Sequence, residues 1–384
     1  MKFAIITHVE HKLRNNEFFA YEPYVREMNL WGKYVDEVRI VAPISKGKIS
    51  TIEIPYEHQC IKLINIKAFN ILTVKDSIKA IISIPKTCFL LYKTMKWADH
   101  IHLRCPGNIG LLGCFVQMIF PSKPKTVKYA GNWDPKSNQP FSYKIQKWIV
   151  SNTYLAKNTK VLVYGEWPNQ SKNISPFFTA SYSESEKEVI NKKGLSKFYR
   201  IKSNEVKVNL IKFLFVGTLS KGKQPLLAVE IVHQLKLNGY PIHLDIYGEG
   251  VERTKIKNYI KKNSLENEIN IHGNVDKEVV KKAYQQAHFL LFISNSEGWP
   301  KVVAEAMFWA CLPVTSNVSC IPFMLDNGNR GAIVNVNVKK IVSIVEEYIQ
   351  NNEKYEKHVI NALDWSRQFT MEKFEKEIYK LIIS

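Results

Sequence analysis

The stretch FLLFISNSEGWPKVVAEAMFWACLPV, residues 289–314, contains a strand, a loop and a helix in readable order. The apolar run 289–293 reads as a buried strand. It ends in a Ser/Asn/Gly loop, and Pro300 then opens an amphipathic helix, because proline at the first helical position costs no hydrogen bond and pre-sets φ. Val302, Ala306 and Trp309 or Ala310 recur at helical spacing and are expected to form its buried stripe. A strand feeding a helix whose N-terminus faces a crevice is how open parallel α/β sheets hold phosphorylated ligands. Glu297 stands in the loop and Glu305 in the helix, its Cβ tilted toward the helix N-terminus. Two carboxylates beside an anion site suit a ligand with both phosphates and hydroxyls, such as a nucleotide-sugar. The plain alternative is an exposed loop acid followed by a solvated helix acid.

Three further segments repeat the strand–turn pattern. FLFVGTLSKGKQP (213–225) is a strand, a glycine turn and a helix start. Backbone N–H groups at such a turn, with a lysine close by, make a diphosphate cradle. HLDIYGEGVER (243–253) places Gly248 and Gly250 between a strand and a helix, and INIHGNV (269–275) is the next strand end. His272 in that strand is expected to be structural. A tight turn with solvated lysines is the alternative for the first two segments.

In these residues the chain resembles retaining glycosyltransferases of the GT-B fold, glycosyltransferase family 4. The family's E-x7-E, followed by an apolar helix and a P-V strand, is matched by Glu297, Glu305, Pro313 and Val314. The resemblance spans roughly residues 211–384 and is looser over the first half. It implies an α/β protein of two Rossmann-like domains facing across a cleft. Residues 1–205 would form the N-terminal acceptor-binding domain and 206–365 the C-terminal nucleotide-sugar domain, with a helix over 366–384 packing back on the first. By the same resemblance, Glu297 and Lys223 are the catalytic residues. Gly217, Thr218, Lys223, Gly248, Gly273, Asn274, Val275, Glu297, Gly298, Trp299, Pro300, Lys301, Val302 and Glu305 bind the donor. The chain departs from the family where Thr218 replaces an arginine and Gln224 a glycine, leaving Lys223 as the main diphosphate cation unless Lys221 substitutes. VSCIPFMLDNGNRGAIV (318–334) departs at Ser319, Cys320 and Phe323.

The acceptor side is read from loops at strand ends in the first half. His8, Arg104, Asn132 and Asp134 are its candidates, with turn chemistry and a capping aspartate as alternatives. The Gly-Gly pair that many relatives carry after the first strand is missing. Retention of configuration, with the leaving phosphate taking the acceptor's proton, is what the resemblance implies. No D-x-D stands beside a strand end, so the expectation is a reaction without metal or cofactor. The alternatives are a nucleotide-sugar epimerase or hydrolase on the same fold, or a non-catalytic basic protein binding nucleotide or nucleic acid. No nucleic-acid-reading motif supports the last, and no nucleic acid is expected as partner.

Composition agrees. A chain of 384 residues with 45% apolar content suggests two packed cores. Strands and helices alternate in both halves, and the charge-rich stretch 183–207 reads as the linker. The six cysteines show no C-x-x-C pair or metal-ligand spacing, so zinc and a disulfide framework are not expected. The first ten residues lack a signal peptide's apolar core, and the longest apolar run, 109–120, is too short to span a bilayer. A cytoplasmic protein is expected, peripheral on the inner face of the membrane, with a role in surface-polysaccharide or lipopolysaccharide assembly. Residues 1–205 hold 31 Lys and Arg against 16 Asp and Glu, which is +15 of the chain's +19. So basic a half implies an anionic partner, a lipid diphosphate or an anionic membrane surface. The segment 74–97 interleaves lysines with apolar and aromatic residues as a membrane-surface helix does. A lysine-rich solvated face over an ordinary core helix is equally compatible.

Overall fold

A computed structural model describes residues 1–50, 52–67, 74–189, 199–202 and 205–383, with the backbone alone for 74–82, 188–189, 199–202 and 205–208. The chain divides into two compact units, Met1–Phe178 with Phe374–Ser384, and Thr179–Lys373.

The first unit is built on a seven-stranded, all-parallel sheet. Its strands are β1 (Lys2–Ile6), β4 (Glu37–Ala42), β6 (Ile61–Asn65), β7 (His100–Cys105), β8 (Lys125–Tyr129), β9 (Thr159–Tyr164) and β10 (Ile174–Phe177), in the order β10-β9-β8-β7-β1-β4-β6. Strands β1 and β8 are almost wholly buried, as expected of parallel strands covered on both faces. A small antiparallel sheet of β2 (Lys12–Arg14), β3 (Glu17–Tyr21) and β5 (Glu53–Pro55) stands beside it, next to α1 (Glu22–Gly32). Helices α2 (Val74–Trp97), α3 (Asn108–Val116) and α4 (Phe141–Ser151) share one core. Leu91, Met95, Ile109, Leu112, Ile149 and Val150 pack there against Ile6, Ile101, Leu103, Val127 and Val161. These three helices therefore lie on one face of the sheet.

The second unit carries a six-stranded parallel sheet in the order β15-β14-β13-β16-β17-β18. Its strands are β13 (Ile211–Val216), β14 (Ile242–Tyr247), β15 (Ile269–Gly273), β16 (Phe289–Phe292), β17 (Leu312–Ser316) and β18 (Ala332–Val334). A two-stranded antiparallel ribbon, β11 (Tyr199–Lys202) and β12 (Glu205–Val208), precedes it. Between and after the strands run α5 (Pro225–Leu237), α6 (Arg253–Lys262), α7 (Lys277–Gln286), α8 (Lys301–Phe308), α9 (Ile321–Met324), α10 (Val338–Gln350) and α11 (Asn352–Ser366). The helix read near the C-terminus is α12 (Met371–Ile383). From Phe374 onward it belongs to the first unit, where Phe374 meets Phe177 and Phe178 and Glu375 accepts from Lys33 and Tyr34.

The division falls at Phe178/Thr179 and not near residue 205. The reason is a set of polar ties from the segment after Phe178 to the second unit. Met371 N donates to Tyr182 O at 2.9 Å, Lys281 pairs with Glu186 at 2.6 Å, and Arg367 donates to Lys187 O at 2.8 Å. Of the stretch read as linker, residues 190–198 and 203–204 lie outside the described residues. The six cysteines are free thiols, four of them buried. Among the described residues no helix is long and apolar enough to cross a membrane.

Candidate functional site

In the six-stranded sheet the strand order reverses between β13 and β16, which pair in parallel through Phe213↔Phe289 and Leu214↔Leu290. Loops leaving the carboxyl ends of strands at such a switch point diverge and leave a crevice. Here they are 217–224 and 293–300, and they are tied together. Asn295 N donates to Gly222 O at 2.9 Å, and Gln224 Nε2 donates to Ile293 O at 3.2 Å and to Asn295 Oδ1 at 2.9 Å. Across this tie Lys223 Nζ donates to Glu297 Oε1. The Glu297 side chain is only 9% exposed, and the Lys223 ammonium also stands 4.8 Å above the Phe292 ring. The two residues read as catalytic are thus brought into direct contact. Lys221 and Thr218 are exposed on the same turn.

Two glycines shape the turn. Gly217 (φ +150°) has nothing within 4 Å of where a Cβ would stand, so its backbone is open to close approach. Gly248 (φ +137°) is the opposite case, since a Cβ there would sit 2.0 Å from Gly217 O. Gly248 therefore lets the second strand–turn pack on the first, and Gly217 N donates to Tyr247 O at 2.9 Å across that contact. Its part in the site is support beneath the turn. Gly273 ends β15, and Asn274 and Val275 after it are exposed. His272 is structural, hydrogen-bonded to Asp245 at 2.6 Å and stacked on Tyr247. Burial raises the Asp245 pKa, but the hydrogen bonds from His243 and His272 outweigh it and hold the carboxyl below its usual value.

The loop into α8 differs from expectation in three respects. Pro300 is the N-cap, with ψ 87°, and Lys301 is the first helical residue. Of the expected stripe, Ala306, Trp309 and Ala310 are buried but Val302 is only half-buried, and Val303, Met307 and Phe308 are buried as well. Trp299 is 8% exposed, its ring packed on Trp365 and Phe369. Gly298 is anchored from below by residues that depart from the family pattern. Ser319 Oγ and Cys320 Sγ donate to Gly298 O at 3.0 and 3.2 Å. Burial pushes the Cys320 thiol up to about 12, which keeps its proton in place for that donation.

Glu305 has a separate set of partners. Ser181 Oγ donates to one carboxylate oxygen at 2.6 Å and Tyr284 OH to the other at 3.3 Å. Burial, followed by the Glu305 charge, raises the pKa of both Tyr182 and Tyr284, so both remain neutral phenols beside it. Ser181 and Tyr284 carried no signal of their own in the sequence, whereas Ser319 and Cys320 stood out only as departures from the family pattern. Gln224 stood out likewise. It stands where the family has glycine, and it occupies the left-handed region at φ 48°, ψ 48°. Its two side-chain hydrogen bonds offset that backbone cost.

The acceptor-side candidates belong to the first unit. His8 sits against Gly107, at the ends of β1 and β7, where that sheet also reverses order. Burial, and then the charge of Arg104, lower its pKa. Arg104 is held inward, with Nη1 3.1 Å from both carboxylate oxygens of buried Glu27. Asn132 Oδ1 accepts from Asp134 N at 2.9 Å and Asp134 Oδ1 from Lys136 N at 2.8 Å. Their side chains are engaged in turn chemistry, the structural alternative. Among the described residues no cluster of three or more His, Cys, Asp or Glu is arranged to hold a metal ion.

Residues 197–365 match the family model described as glycosyl transferases group 1. An uncharacterised 41.2 kDa protein of the cps region of Klebsiella pneumoniae is 24% identical over 304 residues, 77% of this chain and 80% of that protein. A Campylobacter jejuni enzyme, GalNAc-alpha-(1->4)-GalNAc-alpha-(1->3)-diNAcBac-PP-undecaprenol alpha-1,4-N-acetyl-D-galactosaminyltransferase, is 26% identical over 179 residues, 46% of this chain and 48% of that one. The crystal structure of Anabaena HepE in complex with UDP and glucose superimposes with a TM-score of 0.66 at 13% identity, covering 100% of both chains. The chain therefore has the GT-B fold, two Rossmann-like α/β units, and its residues 197–365 match the glycosyl transferases group 1 domain.

Proposed function

We propose that the protein is a retaining glycosyltransferase of the family 4 type, moving a sugar from a nucleoside-diphosphate sugar to a hydroxyl of a glycan or lipid-linked acceptor, with no metal required. The observation that carries this reading is the Lys223–Glu297 pair at the switch point of the six-stranded sheet, beside the open backbone of Gly217. An ammonium resting on a carboxylate suits a site whose ligand brings its own charge. The donor's diphosphate takes over Lys223, and Glu297 is released to accept hydrogen bonds from the sugar. Ribose hydroxyls exchange with Ser181 at Glu305. The C1–O bond to the β-phosphate breaks, and the acceptor oxygen bonds to C1 from the same face. The acceptor's proton passes to the departing phosphate oxygen. Lys223, the N–H groups of the glycine turn and the start of α8 stabilise the charge growing on that phosphate. Most of the rate enhancement is then positioning and charge stabilisation. The UDP and glucose bound by the Anabaena protein, and the undecaprenol-linked substrate in the name of the Campylobacter enzyme, favour a nucleotide-sugar donor and a lipid-linked acceptor.

A thermal-shift panel of UDP, GDP, ADP, TDP and CMP, with EDTA or with magnesium, tests the donor site. A nucleotide at a hundred times its Kd adds ~2.7 kcal/mol of stability, an easily read shift. One diphosphate is expected to stabilise the protein equally in both conditions. With that nucleotide's sugars and a lipid-linked acceptor, Lys223→Ala and Glu297→Gln are each expected to lower kcat/KM by ~10²–10³. Wild-type turnover in both variants, or product of inverted anomeric configuration, would overturn the proposal.

A further inference from the structure

The helices α2, α3 and α4, which share one face of the seven-stranded sheet, turn an unusual outer surface to solvent. On α4 the outward positions are Phe141, Lys144 and Trp148, three and then four residues apart, so they form one stripe. Phe141 is 78% exposed, Trp148 62%, and Tyr154 just beyond the helix 91%. On α2 the same pattern is Lys86, Phe89, Lys93 and Lys96, with Lys93 Nζ 4.6 Å above the Phe89 ring. Phe115 of α3 and Ile119 after it are exposed as well. Five of the seven exposed aromatic side chains among the described residues lie on these helices or the short segments that follow them. Scattered apolar side chains on a surface need no explanation, but a patch of them does.

Charge separates this surface from the rest of the chain. Residues 83–97, 108–119 and 141–158 contain no acidic residue. Over 77–165 there are thirteen Lys and Arg against two Asp and Glu, whereas residues 206–384 are nearly balanced at 23 against 19. The side chains of 74–82 lie outside the described residues. A second copy of the chain would set lysines against lysines across a two-fold axis, with no acid on either side to pair them. A bilayer with anionic headgroups meets both features. Lysines are drawn to its surface potential, and Trp, Tyr and Phe settle at the headgroup level.

We infer that the outer surface of α2–α4 is an interfacial docking face for an anionic bilayer, with Phe141, Trp148 and Phe115 entering the headgroup region and Lys86, Lys93, Lys96 and Lys144 contacting lipid phosphates. This deepens the expectation drawn from 74–97 alone, because the aromatic anchors reside on α3 and α4. It does not depend on the transfer chemistry, since none of these residues belongs to the Lys223–Glu297 site.

The test is flotation of the full-length protein with phosphatidylcholine vesicles, with and without a third of phosphatidylglycerol, at low and high salt. Expected is binding to the anionic vesicles, lost at high salt and absent from pure phosphatidylcholine. Reversing Lys86, Lys93, Lys96 and Lys144 to Glu lowers the partition coefficient by more than ~10-fold, as does Phe141→Ser with Trp148→Ser. Because all six side chains are exposed or at the rim, both variants stay folded, checked by an unchanged melting temperature and unchanged nucleotide stabilisation. Quenching of tryptophan fluorescence by brominated lipid is expected to fall in Trp148→Phe. Equal binding by wild type and both variants would overturn the assignment, as would no binding to any vesicle at low salt. A dimer that Trp148→Ser dissociates, in a protein that ignores vesicles, would assign the face to a second copy instead.

Discussion

Gly217 and Gly248 touch across two turns, yet a methyl group added to each has different consequences. At Gly248 it would stand 2.0 Å from a backbone oxygen, so the turns must separate. Gly248→Ala is expected to cost roughly 2–4 kcal/mol in urea melts and to abolish nucleotide binding with the fold's local order. At Gly217 there is open space, and the cost is confined to backbone strain of about 1 kcal/mol. Gly217→Ala should therefore stay folded yet bind nucleotide at least ~10-fold more weakly (1.4 kcal/mol being tenfold), because the added methyl occupies the approach to the turn. Wild-type nucleotide affinity in Gly217→Ala would mean the diphosphate does not come close to this backbone. Both glycines were visible as motif positions. Which one borders open space and which one packs on protein was not, since a G-x-G spacing does not say what packs beneath it. Arg104 shows the same limit. A basic residue at a strand end is legible, but its partner Glu27 is 77 positions away.

Strand β7 is a continuous buried element that nonetheless contains His100 and His102, both bound to Thr126 Oγ1 at 3.0 and 2.9 Å. Burial, with the charge of Lys125 next, lowers the His100 pKa to about 4, and burial is likewise the main cause that takes His102 to about 3. The unfolded chain binds protons at both near pH 6.5, while the folded strand does not. Stability is therefore undiminished by this pair above pH 6.5 and falls as pH drops, down to about 4 for His100 and about 3 for His102. By pH 5 the loss is on the order of 2 kcal/mol for each histidine. Melting temperature should decline between pH 6.5 and 5, and less steeply in a His100→Gln/His102→Gln variant; a wild-type profile flat over that range would contradict the burial argument. The start of α8 teaches a related lesson. Proline statistics favour the first helical position, but the ψ of Pro300 is not helical, so the helix begins one residue later, at Lys301.

Charge and chain path operate over longer distances. The excess of lysine over residues 77–165 is a sequence fact, but only the packing of α2, α3 and α4 on one core turns it into a surface. The C-terminal helix is similar. Phe374 is 2% exposed and contacts Phe177, Phe178 and the region of Lys128 within the first unit. Phe374→Ala is expected to cost ~3–5 kcal/mol, and hydrogen exchange should show the loss in β8–β10 while the six-stranded sheet keeps its protection. Equal loss in both sheets would mean the two units unfold as one.

The parallel α/β class, the alternation of strands and helices, and the E-x7-E segment were all written in local pattern, because strand burial and helix periodicity are properties of a few consecutive residues. The residues meant to carry chemistry, Lys223 and Glu297, were legible for the same reason, each at a turn after an apolar strand. Their mutual contact was not, because it depends on β13 and β16 becoming neighbours across a reversal of strand order, 74 positions apart in the chain. The partners of Glu305, the anchoring of Gly298 by Ser319 and Cys320, and the division of the chain at Phe178 were likewise settled only by folding. Each depends on hydrogen bonds between groups far apart in sequence, and these leave no periodicity to read.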